Sequence, residues 1–388
     1  MPRHCIPYLL IFLFLQGCAT DPHRVRDGEK IETESVQLQE SQLLDVGILL
    51  FEQGEHTEKE KEQNIHEDIR AAESRYMAYH LKETLEQVHG WGAVRVLPAA
   101  SHIADVTVQG TLLASDGEKL EVRARVSDST GALWFEKLYR AEIDETTYLD
   151  IEPGEDVYQH VYNRIANDMS RHRKKLSGRE RTMIRNTSEM RYAAGVSPDP
   201  FSEYLQWKPD GQTELLRLPA RDDPMLLRVR KIREREFLFI DTINEYYANF
   251  HARMYRPYEN WRRYSLVEVL QKRAIERRAN RTKFAAAAIM LVGLLRDYPG
   301  LLTTGALLYK DGMDIAREAE IHDAAIRELG ESLKTEVAPM VLDIEGRTIE
   351  ITGTIEQQYE KWRALLREIH ANESAPVMDD RVPAGTSL

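Results

Sequence analysis

His66-Glu67-Asp68 sets a histidine beside two carboxylates, the residue types from which a metal site or an acid–base pair is built. It falls in the stretch Glu52 to Asp68, which is acidic, Lys-punctuated and unable to bury itself, and it lacks the second histidine one helical turn away that a helical metal site needs. A solvated loop is expected there. Asp150, Glu152, Glu155 and Asp156 are close enough in sequence to suggest the carboxylate pair of glycoside hydrolysis. Pro153 and their place just before a helix favour amino-terminal capping and dipole matching instead. No Gly-rich phosphate loop and no Ser-centred elbow is present. The reading is therefore of a chain with no catalytic residue, no metal ligand and no cofactor.

Two groups of side chains have the chemistry of contact surfaces. Half of the 52 Lys and Arg lie between Arg171 and Lys283. They cluster at Arg171, Arg173, Lys174 and Lys175, from Arg228 to Arg235, and at Lys272, Arg273, Arg277 and Arg278. Such clusters suit the phosphates of anionic lipid or an acidic partner, each cation contributing about 1 kcal/mol near an anionic surface. A solvated helix face with Glu partners at helical spacing uses the same residues. Around Pro257 stand Tyr246, Tyr247, Phe250, Tyr255, Tyr258, Trp261 and Tyr264. Tyr255, Tyr258 and Trp261 are the candidate aromatic interface, and packing between two helices at a bend is the alternative.

A third feature is positional. Ile6 to Leu15 is an apolar run of secretory length, well short of the ~20 residues of a spanning helix, and it closes on Leu15-Gln16-Gly17-Cys18. The chain has only two cysteines. Cys5 would leave with a signal segment and Cys18 would carry lipid, so the mature chain has neither a disulfide nor a thiolate site. The net charge of −12 argues against nucleic acid as a partner.

The elements that must position these residues can be read from periodicity. Residues 1–17 read as a signal peptide and 18–42 as a polar tether; 43–176 form an α+β domain, 177–338 a helical domain, 339–373 a small ββα unit and 374–388 a tail. In the α+β domain Asp45 to Phe51 reads as a strand, Ile69 to His89 as a helix and Ala93 to Leu97 as a strand. Asp105 to Leu113, Lys119 to Ser127 and Ala132 to Ala141 read as an antiparallel meander, and Glu155 to Leu176 as a closing helix. The fold expected is an antiparallel or mixed sheet with helices on one face, then a mostly α-helical domain. There Glu180 to Ala194 is a helix and Lys208 to Pro224 a Pro- and Asp-rich connection. Met225 to Met254 is a long helix broken at Pro257, and Trp261 to Leu295 resumes it. Phe284 to Leu295 and Leu301 to Tyr309 are too short to span a bilayer and read as buried helix or a dipping hairpin.

Leu15, Gln16, Gly17 and Cys18 resemble a bacterial lipobox, which implies cleavage before Cys18 and its acylation. Ala19 follows, and no Asp stands there to retain the chain at the inner membrane, so the resemblance implies the outer membrane, periplasmic side. The order DVGILLF, polar loop, helix, AVRVLP, ADVTVQGTLL and ALWFEKLYRAE is similar to the periplasmic domain of the curli-secretion channel lipoproteins and to the amino-terminal domain of the TolB family. VLDIEGRTIEITGTI resembles part of the phospholipid-binding BON modules. These resemblances imply a scaffold or assembly factor in an envelope secretion or trafficking complex, held to the membrane by its lipid, partnered by envelope proteins and able to form a homo-oligomer. Lipid or lipopolysaccharide binding by the helical domain is the second expectation, and cell-wall hydrolysis the third.

Overall fold

The computed structural model describes residues 29–34, 38–54, 67–144, 147–148 and 154–295, with 342–344, 347–349, 359–360, 362–364 and 366–367. The lipobox, His66, Asp150, Glu152 and the segment 301–338 lie outside the described residues.

Strand β1 (Val46–Leu49) leads through helix α1 (Glu67–Glu86) to β3 (Val94–Leu97), which pairs parallel with it. β4 (Val106–Ser115) lies parallel on the other side of β1, and β5 (Lys119–Asp128) and β6 (Leu133–Glu142) continue as an antiparallel meander. The order is β3-β1-β4-β5-β6, a mixed sheet, with the short β2 (Glu52–Gln53) set parallel to β4. Glu52 and Gln53 are thus strand where an exposed loop is expected. The meander follows from alternation: Leu120, Val122, Ala124 and Val126 are buried on β5 while Arg123 and Arg125 face out. On the solvent face Arg125 meets Glu136 at 3.1 Å and Arg140 meets Glu121 at 3.1 Å. The turns close at Gly117 and Gly131, both at φ +83°, a conformation that glycine adopts without strain.

Helix α2 (Gln159–Lys175) buries Val161, Ile165, Ala166 and Met169 beside α1 on the same face. Helix α3 (Gly178–Val196) begins at a capping box formed by Ser177 and Glu180, two residues placed to satisfy each other's orphan backbone groups. The connection after α3 contains a hairpin, β7 (Leu205–Trp207) with β8 (Thr213–Leu215), where an irregular segment is expected from Lys208. Pro209-Asp210-Gly211 makes its turn, with Gly211 at φ +84°.

The main departure is α4, one helix from Pro224 to Leu295 that runs straight through Pro257 in its hydrogen-bonding pattern. A proline inside a helix costs about 3 kcal/mol through a lost donor and a steric clash. Tyr247, Met254, Tyr258 and Trp261, buried on both sides of Pro257, hold the chain helical against that cost. α4 also covers the open edge of the sheet: the Asn244 side chain accepts the Val96 N–H at 2.8 Å and donates to the Val96 carbonyl at 2.9 Å, so the edge backbone is paired at Val96. One apolar cluster runs from Leu44 through the sheet and α1 to α3 and on to Leu266 of α4.

β9 (Leu342–Ile344) and β10 (Arg347–Ile349) form the expected terminal hairpin. The helical residues near 359–367 dock on α4: Trp362 stacks on Phe239 with centroids 4.8 Å apart, and the Tyr359 hydroxyl donates to Glu236 at 2.6 Å. Among the described residues no helix is long and apolar enough to cross a membrane.

Candidate functional site

Arg70, Glu73, Tyr76, His80 and Glu83 recur on α1 at intervals of three and four, so they share one stripe of the helix. The first four are buried and Glu83 is half-buried. Across from them α4 presents His251, Tyr258 and Arg262, and the turn before α2 adds Asp156. A polar seam therefore lies inside the molecule where two helices meet.

Its lower part holds two buried ion pairs. Glu73 receives Ser115 Oγ at 2.6 Å and Tyr258 Oη at 2.5 Å on one oxygen, and Arg70 at 3.3 Å on the other. Asp156 receives Arg262 Nη1 at 2.8 Å, Tyr76 Oη at 2.9 Å and its own Tyr158 N–H at 2.8 Å. The Arg262 guanidinium lies 3.8 Å from the Tyr258 ring centroid, a cation–π contact stripped of water. Burial alone raises the Asp156 carboxyl, but the adjoining Arg262 charge overrides it and holds the group well below the usual carboxylate range. Gly117 belongs to this seam as well: a Cβ there would stand 2.7 Å from the Arg262 carbonyl, so the β4–β5 turn seats against α4 only as glycine.

Its upper part is a histidine pair. His80 Nδ1 lies 3.1 Å from His251 Nε2, and the other nitrogen of each ring has a partner of its own, Gln159 Oε1 at 2.7 Å from His80 Nε2 and Glu83 Oε2 at 3.6 Å from His251 Nδ1. Ligand atoms of His80, Glu83 and His251 lie within 4.8 Å of one another, the spacing of a metal-holding group. Burial, then the neighbouring His80, pushes His251 down to about 3, and burial raises Glu83. His251 is thus neutral at ordinary pH, the form in which an imidazole binds metal.

Of the residues singled out from sequence, Asp156 and Tyr258 belong to this seam; the others fall elsewhere, and their surroundings alter their reading. The basic cluster at the end of α2 is occupied by the chain's own amino-terminal segment. Arg171 reaches Glu29 at 2.6 Å and also Glu32; Arg173 reaches Glu34 at 2.6 Å and Lys174 lies 3.9 Å from Glu34. Arg173 is 1% exposed and stacks over Trp91, so it is withdrawn from any lipid surface. Lys175 is exposed. Asn167 ties the same segment by its backbone, accepting the Glu32 N–H at 2.8 Å and donating to the Lys30 carbonyl at 2.9 Å. Residues 29–34, expected to be loose tether, are a strap bound along α2. The second cluster divides: Arg273 is held by Asp116 and Glu118, Arg277 and Arg278 are exposed, and the Lys272 side chain lies outside the described residues.

The aromatic interface is corrected too. Tyr258 is 0% and Trp261 6% exposed, and they stack on each other as core because α4 continues past Pro257. Tyr255 is half-buried, its hydroxyl 3.3 Å from the Glu155 carbonyl. Asp156 is the counter-ion of Arg262 and also accepts the Tyr158 N–H just ahead of α2, in keeping with the expected capping role. His80, Glu83 and His251 went unnoticed in the sequence, although His80-Leu81-Lys82-Glu83 puts an imidazole and a carboxylate three apart on a helix.

Comparisons of this chain with protein-family models, with curated proteins and with solved structures find no match.

Proposed function

We propose that the chain is a lipoprotein anchored through acylated Cys18 on the periplasmic side of the outer membrane, where it acts as a scaffold or assembly factor in an envelope secretion or trafficking complex. The observation that supports this best is the strap. The segment that follows the lipobox-like residues is bound along α2 by Glu29, Glu32 and Glu34 and by Asn167, so an anchor at Cys18 would position the folded body itself. The same contacts speak against phosphate binding at Arg171 and Arg173, because the carboxylates of the strap fill the place that lipid phosphates would take. Cell-wall hydrolysis loses one of its four candidate carboxylates, since Asp156 is bound to Arg262.

The experiment has two parts. Metabolic labelling with an alkynyl fatty acid and membrane fractionation are expected to find a labelled protein with the outer membrane, and Cys18→Ala to lose the label and leave that fraction. Affinity recovery from crosslinked, detergent-solubilised envelopes is expected to return a reproducible set of envelope proteins with it. An unlabelled protein whose fractionation ignores Cys18 overturns the anchor. Recovery of the protein alone overturns the scaffold, and recovery with bound acyl chains puts lipid handling in its place.

A further inference from the structure

We propose that His80, His251 and Glu83 bind one zinc ion and so clip α1 to α4. The inference is independent of where the chain is anchored. It follows from the close approach of their ligand atoms and from a chain of hydrogen bonds that orients His80. Asn163 Nδ2 donates to the Glu29 carbonyl, so its Oδ1 faces Gln159 as an acceptor at 3.0 Å. Thr84 Oγ1 donates to the His80 carbonyl and therefore accepts from Gln159 Nε2 at 3.1 Å. With both of its amide hydrogens used in this way, Gln159 turns its oxygen to His80 Nε2 at 2.7 Å, and that nitrogen must carry the proton. His80 Nδ1 is then the nitrogen through which this ring can bind a metal.

That nitrogen faces His251 Nε2 at 3.1 Å. One ligand atom each of His80, His251 and Glu83 lies within 4.8 Å of the others, and both histidines are 8% exposed, so the facing nitrogens stand in a site largely shut off from water. A cation shared by the two nitrogens and the Glu83 carboxylate would take the place of their direct contact.

The donor set selects the ion. Two imidazoles and a carboxylate suit zinc, whose ligands lie about 2.0–2.2 Å from the metal and so stand roughly 3.3 Å apart at the tetrahedral angle. The facing nitrogens are already at 3.1 Å. Gln159 supplies His80 with the outer hydrogen bond that orients a metal-bound histidine, and this partner is itself held by Thr84 and Asn163. Glu83, with 43% of its side chain exposed, lies on the solvent side of the group and gives the ion its way in. Because His80 and Glu83 come from α1 and His251 from α4, the ion would fasten the long helix to the sheet domain.

The test is zinc binding to the untagged full-length protein, purified in detergent and stripped with a chelator, measured by competition with a chromophoric indicator. One zinc per chain with a sub-micromolar Kd is expected, together with a zinc-dependent rise in Tm. Cobalt(II) at the same site is expected to give the visible absorption of a four-coordinate ion. His251→Gln is expected to weaken zinc at least tenfold and to abolish the Tm rise. Should that buried substitution fail to fold, Glu83→Gln, on the solvent side, decides the matter through an expected loss of about tenfold. No stoichiometric zinc at tens of micromolar, or an affinity unchanged in a folded His251→Gln or Glu83→Gln protein, overturns the proposal.

Discussion

The strap on α2 and the seam between α1 and α4 are built from the same parts, arginines closed on carboxylates, yet they sit in opposite surroundings. Arg171 meets its partners with about half of its side chain in water, whereas Arg262 and Asp156 are 2% and 1% exposed. In water such a pair gains little, because solvent and salt already screen each charge. Inside, the pair is held by geometry: each charge has given up its hydration and has the other as its counter-charge, so removing one leaves the other without a neutralising partner. An ion pair's weight in this molecule is set by where the helices put it. Arg173 stands between the extremes, buried itself but paired with a partly exposed Glu34.

The largest effects are expected at the seam. Asp156→Ala is expected to cost about 3–5 kcal/mol in urea unfolding, because it leaves Arg262 buried without a counter-charge. Pairing it with Arg262→Met is expected to recover most of that loss; a double variant as weak as the single one would show that the pair itself is not what matters. Arg173→Ala comes next, at about 2–3 kcal/mol, through the lost charged hydrogen bond to Glu34 and the lost stacking on Trp91. The pH dependence sharpens the contrast. Since the folded Asp156 carboxyl lies below its unfolded value of about 3.9, its contribution is complete above that pH and disappears only as the pH falls further, through the folded value. The difference in stability between wild type and Asp156→Asn should therefore be flat from pH 5 to 7 and shrink below about pH 4, and a decline beginning at pH 6 would contradict it. Arg171→Ala is the smallest effect, under about 1 kcal/mol and erased by molar salt.

What could be read without coordinates was whatever repeats over short distances. Alternation on Lys119 to Ser127 and Ala132 to Ala141, with Ser115-Asp116-Gly117 and Asp128-Ser129-Thr130-Gly131 between and before them, is a local signal, and the observed meander follows it closely. The apolar stripe of α2 was legible for the same reason. Pro257 misled because its helix-breaking tendency is also local, while the packing that overrides it comes from elements far away in sequence. The strap was invisible: Glu29 to Glu34 has no periodicity, and Glu32 finds Asn167 across 135 residues. The histidine pair spans 171 residues, and the polar stripe of α1 looks like a solvated face until α4 is laid over it. Candidate cations and aromatics could be picked by type, but whether Arg173 or Tyr258 meets solvent depends on contacts that no window of sequence contains.

The strap also sets a limit on travel. Anchored at Cys18 as proposed, the chain has only residues 19–28 between the lipid and the first residue bound to α2, and whatever path they take they cannot exceed about 40 Å at full extension. The end of α2 would then patrol a shallow layer beside the membrane instead of the open compartment, and any partner it meets through this region must come within that layer to be met.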